Sequence, residues 1–206
     1  MFADIVLPKG NESEFLEIAA KLGIKKLYFA YDFNEFFSKN MQKRLDSIKN
    51  NSVSFEAVFI ISPVNINKAS KQSKGLIAKS SDKDRIMVEN KKLRIIYSFE
   101  QQARKDYLHQ RASGLNHILC VLAEKNNVAI GFSYGDLIGS SREQSPIIKG
   151  RMMQNIRLCQ KYKNKTIIAS FSENPFRLRP FHDLASMFRL MGMNDYKIKE
   201  SFSYRL

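Results

Sequence analysis

The sequence predicts an α/β protein built on a parallel sheet of about seven strands, most of them followed by a helix. Two observations predict the class. Short apolar runs alternate along the 206 residues with segments whose apolar side chains recur at helical spacing. Runs such as AVFII and TIIAS are apolar without a break, as expected of strands covered on both faces. Strict alternation needs crossovers that return over the sheet face, which makes the strands parallel. Periodicity leaves an open doubly wound sheet and a closed (β/α) barrel both possible, with this length at the low end for a barrel. No internal repeat or low-complexity linker divides the chain, so a single domain over residues 1–206 is expected. In either architecture a site belongs on the loops after the strand C-termini.

Each element has its own signal. Residues 2–7 form an apolar run stopped by Pro8 and Gly10. Asn11 or Ser13 then caps a helix carrying Phe15, Ile18, Ala19 and Leu22, which Gly23 ends. Residues 26–31 (KLYFAY) are a strand, 40–49 a short helix, and 54–61 a strand closed by Pro63. The segment 64–91 is less regular: a helix over 66–73, a strand over 75–79 and a helical turn over 82–90. A strand at 93–99 leads into a basic loop, a helix capped by Ser113, and a strand at 127–134. A polar loop, 135–145, brings Pro146 to the first turn of a long helix ending near Lys163. A strand at 166–171 and helices at 180–191 and 195–201 complete the chain. Phe33, Phe36 and Phe37 are read as ordinary core, with a protein interface as the alternative.

Charge narrows the function. Lys+Arg number 34 against Asp+Glu 20, a net charge of +14. The excess sits in residues 63–111 and 141–206, on either side of a nearly neutral section. Solubility does not need so large an excess of one sign, which points to a polyanion. Cys120 and Cys159 lie in apolar helical patterns and offer neither a metal-ligand spacing nor a disulfide framework, as in a reducing compartment. No secretory signal or membrane span is visible, and a cytoplasmic protein without membrane partners is expected.

Catalytic motifs are scarce. The run from Gly135 to Gly139 lacks the Gly-Lys-Ser/Thr ending of a phosphate-binding loop, and there is no Gly-x-Ser-x-Gly elbow. His109, His117 and His182 are scattered rather than arrayed for a metal, so neither a catalytic nor a metal site is expected. The candidate chemistry is cationic. Arg104, Lys105 and Arg111 crowd the loop before the helix capped by Ser113, with His117 in its first turns. Arg177 and Arg179 alternate just before the Pro180 helix and would share one face in extended backbone. Arg157 and Lys161 are one turn apart on the Pro146 helix, near Lys149. Asp106 and Asp183 are read as orienting nearby arginines rather than as general bases.

The run RKDYLHQRASGLNHILCVLAEKNNVAIGFS resembles archaeal ribonuclease P protein component 3, the family that includes the eukaryotic thirty-kilodalton subunit. A second block, IIASFSENPFRLRPFHDLASMFRLMGM, resembles that family's C-terminal signature, and the helix IIKGRMMQNIRLCQKYK lies between them in the expected place. The resemblance implies a TIM-barrel-like fold related to the polymerase-and-histidinol-phosphatase superfamily, without its metal site. It also implies a protein subunit supporting a catalytic RNA that removes 5′ leaders from precursor tRNA with Mg²⁺, the protein itself binding no cofactor. Implied partners are that RNA, precursor tRNA indirectly, the small ferredoxin-like component 2 and the other ribonuclease P proteins. The matching positions are Arg104 or Arg111, His117, Arg151, Ser170, Arg179 and Asp183. Lys105, Lys125, Lys161 and Arg177 complete the set of candidate RNA contacts. Where some members have Arg-Pro after the Gly-Phe-Ser strand, this chain has Tyr134-Gly135. The rival readings are a free-standing metal-dependent phosphoesterase of the related barrel superfamily and a protein scaffold with incidental charge.

Overall fold

Seven parallel strands pair in chain order in the computed structural model, which describes residues 3–38, 41–48, 52–102, 105–107, 110–204 and 206. They are β1 (Ala3–Val6), β2 (Lys26–Asp32), β3 (Ser54–Ile60), β4 (Leu76–Lys79), β5 (Ile95–Tyr97), β6 (Ala129–Ser133) and β7 (Thr166–Ala169). The outermost strands meet at a seam, where the Phe171 amide donates to the Ile5 carbonyl (2.8 Å) and the Leu7 amide to the Ser172 carbonyl (2.9 Å). That contact decides between the two architectures left open by periodicity: the sheet curls into a (β/α) barrel.

Strand alternation sorts the apolar residues into two layers. Ile5, Tyr28, Ala30, Val58, Ile77, Ile95, Ala129 and Ile167 fill the barrel interior. Val6, Leu27, Phe29, Ile96, Ile130, Phe132 and Ile168 belong to the larger cluster shared with the helices. Tyr97 stacks on Phe171 inside, with centroids 3.9 Å apart and planes 5° from parallel. Space for that pair comes from Gly131, where a Cβ would lie 2.8 Å from the Tyr97 Cβ. Phe171 reaches the stack by adopting φ 44°, a left-handed conformation costing on the order of 1–3 kcal/mol for such a residue. At the start of the strands Tyr204 and Leu206 pack against the same interior cluster.

The helices are α1 (Glu12–Lys21), α2 (Phe33–Ser38), α3 (Met41–Asp46), α4 (Ile66–Ala69), α5 (Asp84–Glu89), α6 (His117–Asn126), α7 (Tyr134–Gly139), α8 (Ser145–Lys161), α9 (Phe181–Leu190) and α10 (Asp195–Ser203). Gly23 (φ 71°) ends α1 as its sequence position predicts. Three local readings need correcting. The cap of α6 is Asn116, whose Oδ1 accepts from the Leu119 amide (2.9 Å), because Ser113 is drawn away to Asn155 (2.7 Å). Such a cap is worth about 1 kcal/mol. Residues 134–139 are helical, since the Ser133 hydroxyl accepts from the Asp136 amide. Helix α2 was not expected. Asp32 caps it by accepting from the Asn34 and Glu35 amides, and Phe33 and Phe36 pack with Phe59 as core.

Candidate functional site

The basic loop after β5 is organised by a polar network buried beneath it. Ser98 (φ 64°) turns the chain out of β5, and its hydroxyl donates to Asp136 (2.5 Å). Glu100 follows in a 3₁₀ turn and is buried. Its Oε1 accepts from Asn155 of α8 (2.6 Å), while Oε2 has no hydrogen-bond partner among the described residues. Burial pushes the Glu100 carboxyl up to about 7, against the pull of the Asn155 bond.

Arg151, one turn earlier on α8, faces inward and its side chain is 6 % exposed. Nε donates to Asp106 (2.9 Å), and Nη1 donates to the carbonyls of Glu100 (2.9 Å) and Gln102 (2.7 Å). The expectation that Arg151 contacts RNA is therefore corrected. Its donors go to the Asp106 carboxylate and to the loop carbonyls, and it acts as the loop's internal post. Asp106 also accepts from the Ala112 amide (2.7 Å) and from Arg111 Nη1 (3.0 Å). Burial opposes its ionised form, but the Ala112 amide, Arg111 and Arg151 together hold the carboxyl below its usual range. Asp106 thus orients arginines, as its sequence context suggests.

Arg111 sits in a socket. Gln154 of α8 clasps its backbone from both sides: Oε1 accepts from the Arg111 amide and Nε2 donates to the Arg111 carbonyl, each at 3.0 Å. The guanidinium lies over Gly150, whose missing Cβ would fall 3.0 Å from Cζ and Nε. A mid-helix glycine costs α8 about 1 kcal/mol relative to alanine, and its return here is a flat bed for the guanidinium. Arg111 nevertheless keeps 48 % of its side chain exposed. Charge held rigidly with donors facing out is suited to a phosphate oxygen.

Two open hollows meet at this socket, of about 760 and 820 Å³, and both are lined by Asp106, Tyr107, Gln110 and Arg111. Lys105 lines the first. The second runs along α8 past Met153, Gln154 and Arg157 to Lys161. The loop and the α8 cations thus form one basic groove, although they are some forty residues apart in the chain.

The remaining candidates are dispersed. Arg104 lies outside the described residues, as does His109. His117 is exposed at the first position of α6, one residue past the cap. Lys125 is in the last turn of α6, beside the start of β6 and so at the opposite end of the barrel from Arg111. Arg177 and Arg179 follow β7 at the same end as Arg111 but do not share an extended face, because Arg177 closes a 3₁₀ turn. Arg177 lies against Gly139, and Arg179 Nη1 bends back to the carbonyls of Phe176 (2.9 Å) and Leu178 (2.7 Å). Asp183 is exposed in the first turn of α9 and makes no ion pair with an arginine among the described residues.

Ser170 is buried at the barrel seam, where its hydroxyl donates to the Ile5 carbonyl (3.0 Å) and its amide to Asp4 (2.7 Å). Asp4 also accepts from the Tyr134 hydroxyl (2.7 Å), and burial raises its carboxyl to about 6 despite these bonds. Tyr134 and Gly135 therefore lock the seam. A Cβ on Gly135 would lie 2.2 Å from the Ser170 carbonyl oxygen. Sequence reasoning passed over Gly150, Gln154, Glu100 and Asn155. The visible signal was a glycine inside an otherwise strong helix pattern, with an amide one turn later. Among the described residues no three His, Cys, Asp or Glu side chains group as a metal site, and no helix is long and apolar enough to cross a membrane.

The family model described as RNase P subunit p30 matches residues 1–205. The chain is 26 % identical over 97 residues to ribonuclease P protein component 3 of Methanothermobacter thermautotrophicus, covering 47 % of this chain and 40 % of that protein. It is 30 % identical over 77 residues to the component 3 of Methanococcus maripaludis, covering 37 % of this chain and 33 % of that one. The match spans less than half the length of these relatives. In fold it resembles a chain of the cryo-EM structure of archaeal ribonuclease P with mature tRNA, at 18 % identity and a TM-score of 0.73, over 97 % of this chain and 87 % of that one.

Proposed function

Because the chain belongs to the RNase P subunit p30 family, we propose that it is a protein subunit of ribonuclease P that grips the catalytic RNA while that RNA removes 5′ leaders from precursor tRNA. The observation that carries the reading at residue level is the Arg111 socket, opening on a groove shared with Arg157 and Lys161. Cations mounted this way neutralise phosphates and recognise helical shape, since A-form RNA hides its base edges in a narrow major groove. Lys105 extends the groove; His117 at the start of α6 and Arg177 and Arg179 after β7 serve as outlying contacts, and Lys125 from the far end of α6. Arg151, Asp106, Glu100 and Asn155 hold the loop in place. Component 2 and the other ribonuclease P proteins are the protein partners of this reading, with Mg²⁺ carried by the RNA. The family match favours it over a free-standing phosphoesterase.

Reconstitution tests it. Catalytic RNA and the other subunits are assayed for precursor-tRNA cleavage at limiting Mg²⁺, with and without this chain. The expected result is cleavage that depends on the chain and falls with Arg111→Ala. RNA affinity is expected to fall with salt at roughly 0.7–0.9 in log–log slope per neutralised phosphate. Equal cleavage without the chain, or an affinity indifferent to salt, would overturn it.

A further inference from the structure

Two exposed tyrosine and phenylalanine rings stand on the cationic loops, and duplex phosphates give them nothing to do. Tyr107 is 76 % exposed between Lys105 and Arg111, and Phe176 is 73 % exposed beside Arg177. A site serving only a phosphate backbone gains more from another Lys or Arg than from an aromatic ring left in water. Tyr107 has the more developed surroundings. Its amide donates to the Gln110 carbonyl (2.9 Å), which ties its backbone to the residue next to Arg111. It borders both hollows at the Arg111 socket. Within the second, Met153 and Leu158 supply apolar surface beside Arg157 and Lys161, and Gln110 and Gln154 supply amides. Aromatic face, apolar floor, planar guanidinium, amide and cation in one hollow of about 820 Å³ are the groups that hold an unpaired nucleotide.

The geometry points to a second mode of RNA recognition at this site: one unpaired base, from a bulge or loop, stacks on Tyr107 while its flanking phosphates rest on Arg111 and the α8 cations. The inference rests on the reading that the groove binds RNA, and adds the class of nucleotide it selects. Duplex RNA keeps its bases stacked within the helix, so the ring can discriminate only where a base is splayed out. The Arg111 socket supports this by holding the guanidinium plane still against Gly150, beside the space the base enters.

The test uses the full chain and two RNA probes, a blunt duplex and the same duplex carrying one bulged 2-aminopurine. Binding and 2-aminopurine fluorescence are measured for wild type, Tyr107→Leu, Tyr107→Phe and Arg111→Ala. Tyr107→Leu is expected to lose about 5- to 150-fold in affinity for the bulged probe, the range of one base–aromatic stack, and nothing on the duplex. Tyr107→Phe should bind like wild type and quench the fluorophore equally. Several results would overturn the inference: unchanged bulge affinity in Tyr107→Leu, equal loss on both probes, or loss in Tyr107→Phe, which would assign the hydroxyl. Loss of protein-partner binding with RNA affinity intact would assign the ring to a protein interface instead. Arg111→Ala reports separately, since weakening on both probes upholds the groove as an RNA surface whatever Tyr107 does. No effect on either probe removes the groove reading, and this inference with it.

Discussion

Replacing Arg151 with Met keeps most of the side chain's length and removes its donors. The Glu100 and Gln102 carbonyls lose bonds of 2.9 and 2.7 Å, and Asp106 loses one of 2.9 Å. Breaking a buried ion pair from one side costs about 3–5 kcal/mol, and each orphaned buried carbonyl costs about 1–3 kcal/mol. Asp106 is 17 % exposed and keeps Arg111 and the Ala112 amide, so the ion-pair cost shrinks to about 1 kcal/mol, and the two carbonyls add about 1 kcal/mol each. About 3 kcal/mol, with a urea m-value near 3 kcal/mol per molar, lowers the unfolding midpoint by about 1 M. The assay is urea denaturation followed by circular dichroism, run beside RNA titrations over a salt series. Arg111→Ala should do the reverse, leaving the midpoint nearly unchanged and reducing the salt slope by about 0.7–0.9. An Arg151→Met protein that unfolds at the wild-type midpoint yet loses salt slope as Arg111→Ala does would refute the internal role. Arg151 would then be a phosphate contact after all.

Glu100→Gln should flatten the pH dependence of stability. The carboxyl rises from 4.5 to about 7 on folding, so its contribution is full below about 4.5 and is lost as pH climbs towards 7, a change of about 3 kcal/mol. Denaturation at pH 5 and pH 8 checks this: wild type loses stability between them, and Glu100→Gln retains only the smaller decline owed to Asp4. The same decline in both proteins would contradict the assignment. Gln154→Ala releases the Arg111 backbone at the protein surface, so it should weaken RNA binding several-fold while shifting stability by no more than about 1 kcal/mol. Tighter binding in the variant would show that the clasp holds Arg111 away from RNA. Gly135→Ala drives a Cβ to 2.2 Å from the Ser170 carbonyl, and calorimetry should record a loss of at least about 1–3 kcal/mol as the seam is forced apart. An unchanged melting temperature would mean the seam has slack that these contacts do not show.

Elements stabilised by their neighbours in sequence could be read from sequence. Apolar spacing marks the faces of α1 and α8, and Gly23 and Pro146 mark an end and a beginning. Asp32 and Glu35 carry an equally local signal for α2, which three apolar phenylalanines mask by also fitting a packed core segment. The concentration of charge on the 104–111 loop and on α8 was legible as well, because composition is a local property.

Tertiary structure decided where each polar group ended up. Barrel closure depends on Ile5 meeting Phe171 and on Asp4 meeting Tyr134 and Ser170, contacts spanning most of the chain that no window of periodicity contains. An arginine is soluble at a surface and tolerable inside if a carboxylate and carbonyls await it. Whether Arg151 or Arg111 faces water therefore turned on where the fold delivered Asp106. Sequence alone determined the class of fold, the family and the sign of the surface. The closing of the sheet, and the choice of which cations stay free to bind, came from bonds between residues that only folding brings together.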